Sequence, residues 1–286
     1  MGHNAPFRAR KIAAMGLVGI AIAISTVAFQ TITENRILTP AIMGFDALYM
    51  LIQTMVVFFF GSSRLLTLDP QLQFGIEVTI MVVFCTAIFW ILFLRARYSI
   101  YLIVMVGIIF GALFRSLTNF AQRMIEPSDF AVLQDAGFAS FNAIDQTLLV
   151  MAAVLVLGAS LILWHQLPEL DLLILGRNSA VSLGVDYRRS VAIVLVATIV
   201  LTAVSTALVG PVAFFGLLVA NVAYLIAGSP WHRYTLPTAA MLGVMALVGG
   251  QAVLEHAFGL NSSLSVIIEF IGGIAFIYLI LRRSAR

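Results

Sequence analysis

The sequence predicts an all-α, polytopic bundle of membrane-spanning helices, and three observations predict it. The 286 residues are 62% hydrophobic and only 10% charged, where soluble domains carry roughly 25% charged residues. Mean hydropathy is +1.06, so the chain needs lipid as solvent. Apolar runs long enough to cross a bilayer, about 20 residues each, recur along the chain. Nine candidate spans stand out: 12–31, 41–61, 76–94, 98–117, 146–164, 190–209, 211–227, 236–256 and 262–281. A single transmembrane domain over residues 1–286 is the expected organisation.

Taken in order, the first run carries Gly16, Gly19, Ala21, Ala23 and Ser25, small residues that let a neighbouring helix approach closely. Gly249-Gly250 and Gly272-Gly273 are read the same way. Asp46 falls in the first turn of the second run, near its cytoplasmic end, where it could border a gate or simply suit the start of a helix. Glu77 also falls in a first turn, that of the third run and on the outer side, and Glu269 lies deeper in the last. Ionisable groups at such depth usually face a cavity or a partner helix. Of the three, Glu269 is the best pore or interhelix candidate. Gln53 and Gln251 either line a path or hydrogen-bond between helices. The longest connection, 118–145, mixes Pro127, Asp129, Asp135 and Asp145 with Phe120, Phe130, Phe138 and Phe141, which predicts a short interfacial helix.

The most distinctive stretch is polar and runs from Asp171 to Arg189, with a membrane span on either side. Asn178 is a good N-cap and Gly184 a good stop, so 178–184 reads as a short helix. Ser179, Ser182 and Asp186 would form a polar stripe, leaving Val181, Leu183 and Val185 for a partner or for the bundle. The seventh span is short and begins with Gly210-Pro211. It reads either as a broken or tilted helix, tolerable only where protein or water satisfies the freed backbone, or as a plain helix boundary.

Orientation follows from the arginines. One set of loops holds Arg36, Arg95, Arg97, Arg177, Arg188, Arg189 and Arg233, with Arg282, Arg283 and Arg286 in the tail. The opposite set holds Arg64, Arg115 and Arg123. The first set is expected in the cytoplasm, which puts 166–189 and the C-terminus inside and 118–145 outside. Nine spans then place the basic start, Arg8, Arg10 and Lys11, outside. Either the first span is miscounted or an upstream span is missing.

Composition also excludes functions. The pI of about 9.3 rests on arginine, Lys11 being the only lysine. That balance suits loops facing anionic lipid and gives no sign of nucleic-acid binding. A lone cysteine, Cys85, cannot form an intrachain disulfide. His3, His165, His232 and His256 lie far apart at segment ends, so a metal site is not expected. No glycine-rich loop ending in Gly-Lys-Ser/Thr occurs, so the chain is not expected to hydrolyse ATP or hold a cofactor. An importer subunit served by a separate ATPase and an ion-driven carrier or channel both remain. Sparse intramembrane charge favours the first.

The run Gly176-Arg-Asn-Ser-Ala-Val-Ser-Leu-Gly-Val-Asp-Tyr-Arg-Arg189 resembles the segment "G-(D/E)-x-x-A-x-S-L-G-V-x-V-x-R" of the FecCD-type permeases. These are membrane subunits of ATP-driven importers for ferric siderophores, haem and cobalamin. Resemblance extends over nearly the whole chain. Arg8-Ala-Arg-Lys11 stands at the family's "R-L-P-R", and Leu17-Val-Gly-Ile-Ala-Ile-Ala-Ile-Ser25 at "L-V-G-A-A-L-A-x-S". Gln30 to Gly44 keeps the asparagine, final proline and final glycine of "Q-x-x-x-x-N-P-L-A-x-P-x-x-L-G", and Gly210 to Asn221 resembles "G-P-I-x-F-I-G-L-(I/V)-V-P-H". The last match is Ser265 to Phe276. Arg36-Ile-Leu-Thr39, and Ala220-Asn221 in place of Pro-His, are similar to a subset handling catecholate siderophores.

The resemblance implies a set of roles. Gly176, Arg177, Ser179, Ala180, Ser182, Leu183 and Gly184 would form the docking surface for an ATP-binding cassette ATPase, which uses the ATP. Arg8, Arg10 and Lys11 would receive a substrate-binding protein outside. A second permease, copy or paralogue, would complete the path, with Asp46, Gln53, Asn221 and Glu269 as path or gate residues. The family has ten spans, so this chain is expected to lack the first. A bacterial inner membrane is the implied location.

Overall fold

The computed structural model describes residues 5–61, 69–95, 99–141, 144–258, 267–274 and 277. The candidate span 262–281 therefore lies largely outside the described residues, as do Arg64, Arg97 and the arginines of the C-terminal tail. The helices are α1 (Ala5–Ile32), α2 (Phe45–Phe60), α3 (Pro70–Phe89), α4 (Ile100–Gln122), α5 (Pro127–Ala136), α6 (Gln146–His165), α7 (Leu167–Leu173), α8 (Arg177–Ser182), α9 (Tyr187–Val209), α10 (Phe215–Ala227) and α11 (His232–Val253). A 3₁₀ turn, Pro40–Met43, precedes α2, and π-helical turns follow α3 and α11. Residues 267–274 are helical, and no strand occurs among the described residues. Among the described residues, six helices are long and apolar enough to cross a membrane, and α2 and α10 are shorter apolar helices.

Aspartates start several of these helices. The carboxylate of Asp69 accepts from the Gln71 amide at 3.0 Å, with Pro70 at the first helical position. Asp145 caps α6 through the Thr147 amide at 2.7 Å, and Asp186 caps α9 through the Arg189 amide at 3.2 Å. Each satisfies a backbone donor that the first turn leaves open. The expected interfacial helix in 118–145 is α5, and α4 runs further than the apolar run alone suggests. The seventh span starts late: residues 210–214 are non-helical and α10 begins only at Phe215.

α1 and α9 form the interior of the bundle, while α3, α4 and α6 turn wide apolar faces outward. α1 packs most closely on α11, where the two backbones touch. A Cβ on Gly19 would lie 2.7 Å from the carbonyl carbon of Gly243. The small-residue reading therefore holds at Gly19 but not at Gly16, Gly249 or Gly273, where added carbons would meet open space. Gly272 does sit against Phe214.

A second close approach corrects the expected depth of Asp46. Gly44, at φ +89°, fits against Gly107 and Gly111 of α4, and a Cβ there would come within 2.8 Å of the Gly111 Cα. Gly111 lies midway along α4. Residues 33–44 thus fold inward before α2 begins, and Asp46 sits beside the middle of a spanning helix rather than at the membrane edge.

Candidate functional site

Three connections meet at one end of the bundle: residues 33–39, α7 with α8, and the turn before α11. α7 and α8 are joined by a tight turn. The amides of Ile174, Leu175 and Gly176 bond back to the carbonyls of Leu170, Leu172 and Leu173 at 3.3, 3.1 and 3.1 Å. Gly176, at φ +84°, is the N-cap of α8. The helix therefore starts at Arg177, ahead of the expected Asn178. Asn178 is not the cap; its carbonyl accepts from the Ser182 hydroxyl at 2.9 Å. Gly184 does stop the helix. At φ +89° it lets its own amide reach the Val181 carbonyl and the Val185 amide reach the Ala180 carbonyl, both at 3.0 Å. That double bond pattern is the Schellman motif, which a left-handed glycine favours.

α8 is seated by one side chain and open elsewhere. Ala180 is fully buried. Arg177, Ser179, Ser182 and Gly184 are exposed, and Val181 and Leu183 are 53% and 58% exposed. Ile174 and Leu175 extend this apolar patch. The Arg177 guanidinium stands 5.5 Å from the Tyr187 ring. Beside α8 opens a groove lined by His165, Gln166, Glu169, Asp186 and Arg189. Gln166 Oε1 and Glu169 Oε2 are buried there without a hydrogen-bond partner among the described residues. Val181, Leu183, Ile174 and Leu175 thus form an exposed apolar patch beside the groove.

A buried chain of side chains ties this end to the bundle. Asp171, on α7, accepts on Oδ1 from the His232 amide and from His232 Nδ1, both at 2.7 Å. His232 Nε2 meets Thr31 Oγ1 at 2.8 Å. His232 is 1% exposed, so it is a core residue rather than the interfacial side chain its position at a segment end suggests. Nearby, Asn221 donates to the carbonyls of Leu217 at 2.8 Å and Arg36 at 3.4 Å. The Arg36 guanidinium lies 4.5 Å from the Tyr224 ring.

The other proposed path residues separate into two places. Asp46 borders a small cavity, alongside Ser25, Thr26, Thr202, Ser205 and Thr206. It interacts electrostatically with Glu269 and with Arg115. Gln53 is elsewhere: fully buried, it donates to Glu77 Oε1 at 2.7 Å, and Gln73 donates to the same oxygen at 2.8 Å. Gln53 and Asn221 do not line the cavity that Asp46 borders. At the opposite end of the bundle, Lys11 forms a 2.8 Å ion pair with Glu255. Arg8 is exposed and Arg10 half-buried. The three basic residues are therefore not equivalent, and Lys11 has its partner within the chain.

The model of the FecCD transport family matches residues 4–282. The chain belongs to that family. It is 45% identical over 282 residues to the petrobactin import system permease protein YclO of Bacillus subtilis (strain 168), a match covering 99% of this chain and 90% of that protein. It is 37% identical over 275 residues to the petrobactin import system permease protein FatC of Bacillus anthracis, covering 96% and 77%. A solved structure described as an inward-facing metal-chelate type ABC transporter superposes with a TM-score of 0.85 at 21% identity. That match covers 98% of this chain and 89% of its own. At that identity it speaks for the fold.

Within the FecCD family frame, the sequence located α8 because its terminal glycine is a local signal. It missed Thr31 and His232 because their roles depend on partners far along the chain. A histidine at the start of a helix, after a tryptophan and before a long apolar run, carried no local mark of burial.

Proposed function

We propose that the chain is the membrane-spanning permease subunit of an ATP-driven importer for ferric siderophores of the catecholate type, set in a bacterial inner membrane. The observation that carries this reading is α8. It is a six-residue helix held by the buried Ala180 and closed by Gly184, and it presents Val181 and Leu183 outward at the arginine-rich end. A chain of the FecCD family that exposes such a surface fits an ATPase that binds there and uses the ATP. Cytoplasmic placement follows from the arginine asymmetry. The names of the two Bacillus relatives support petrobactin as the first siderophore to test.

A second permease, copy or paralogue, would cover the outward apolar face of α4 and screen Arg115, Asp46 and Glu269 from lipid. A substrate-binding protein would dock at the opposite end, where Arg8 remains exposed. Because the charge of Lys11 is already met by Glu255, Arg8→Glu is expected to slow binding-protein association more than Lys11→Glu, most strongly at low salt.

Two substitutions test the reading. Ala180→Arg cannot keep its side chain in a fully buried seat, and Gly184→Pro cannot adopt a positive φ. Both are expected to separate ATP hydrolysis from petrobactin uptake in reconstituted vesicles. Normal uptake by both, with the ATPase attached, would exclude α8 as the coupling surface.

A further inference from the structure

We propose that Asp171, His232 and Thr31 form a strut that carries displacement of α8 into α1 and α11, and that they are positioning residues for transport. The proposal rests on α8 being the ATPase-docking helix. It starts from the continuity of α7 and α8. The turn between them is closed by backbone bonds at each of Ile174, Leu175 and Gly176, and Leu170, Leu173 and Ala180 are buried. A force on α8 therefore moves α7 with it.

Asp171 projects from that unit to the first residue of α11. It holds His232 by two bonds to one oxygen, a backbone amide and a ring nitrogen, so it fixes both the helix start and the ring plane. Because Asp171 accepts, Nδ1 carries the hydrogen, and Nε2 is left to face Thr31 in the last turn of α1. The Thr31 hydroxyl is also 3.0 Å from the Val27 carbonyl. One ring thus joins three helices, and the ring itself is buried.

The two helices it reaches cannot move independently. Gly19 and Gly243 bring the α1 and α11 backbones into contact, so a shift at their inner ends is shared further along. α1 in turn supplies Ser25 and Thr26 to the cavity that Asp46 borders. The strut thereby links the docking helix to the intramembrane acid through packed elements alone. Packed contacts of this kind shift by discrete rearrangement rather than by gradual deformation.

The test uses the full complex of two permeases and the ATPase in proteoliposomes, with radioiron-loaded petrobactin as probe. Iron taken up per ATP hydrolysed is the readout. Thr31→Val removes the α1 bond with little change of shape, and Asp171→Ala removes both bonds to His232. Each is expected to lower the ratio about fivefold or more while the ATPase stays bound. Asp171→Asn keeps an oxygen that accepts the same two bonds, so it is expected to stay within about twofold of the parent. An unchanged ratio in Thr31→Val and Asp171→Ala would overturn the strut, as would an Asp171→Asn ratio as low as that of Asp171→Ala. In a Cys85→Ser background, Val181→Cys reports separately on docking. Failure to cross-link to the ATPase would remove the docking reading and the strut together. Cross-linking with unchanged ratios would remove the strut alone.

Discussion

Asp171, 12% exposed, and Glu77, 4% exposed, are two largely buried carboxylates that solve the same problem differently. Each accepts two hydrogen bonds on a single oxygen at 2.7–2.8 Å. The donors of Asp171 are a backbone amide at a helix start and an imidazole, and together they connect α7, α11 and, through Thr31, α1. The donors of Glu77 are the neutral amides of Gln53 and Gln73, one on α2 and one a turn away on its own helix α3. At the bundle end, the positive end of α11 and a chargeable ring lie against Asp171. Inside the membrane, no cation forms an ion pair with Glu77 among the described residues. The difference separates two uses of a buried acid. One reaches across the chain to bind distant elements, and the other fixes the seam between two neighbours.

The strongest way to break this contrast is to part α1 from α11. Gly243→Val would drive a branched side chain into the Gly19 backbone and pull Thr31 from His232, while leaving Gln53 and Glu77 together. It is expected to cost about 3 kcal/mol or more, seen as loss of the monodisperse peak of a fluorescent fusion in size-exclusion chromatography. Glu77→Ala strands the amide donors of Gln53 and Gln73 and is expected to cost about 2 kcal/mol. A lower thermal midpoint in detergent, with docking at α8 untouched, is the predicted outcome. Lys11→Gln removes an ion pair on which no buried network depends, and should lower the same midpoint by no more than a few tenths of a kcal/mol. Glu77→Gln keeps the accepting oxygen and should shift it least of all. A large loss there would mean that the charge of Glu77, rather than its bonds, holds the seam.

Much of the fold was legible because its determinants are local. Apolar runs announce the spans, and Gly184 and Gly210 mark their breaks through a positive φ that other residues resist. The depth of Asp46 was not legible, because it depends on Gly44 meeting Gly111 far along the chain. The start of α8 was misread for a related reason. Asn178 has the chemistry of a cap, but Gly176 takes up the left-handed turn first. The proposed coupling surface could be found from a motif; the chain of residues beneath it could not, since Asp171, His232 and Thr31 become neighbours only after α1, α7 and α11 have packed.

One feature bears on how the protein is made. α10 has 13 residues and so extends only about 20 Å at 1.5 Å per residue, against a hydrocarbon layer about 30 Å thick. Residues 210–214 ahead of it are non-helical, and non-helical backbone is costly where it meets lipid. During biogenesis this segment cannot be released sideways from the insertion machinery as a lone helix. α9, α10 and α11 are therefore expected to enter the membrane together. A ribosome stalled between α10 and α11 would hold a chain not yet able to leave.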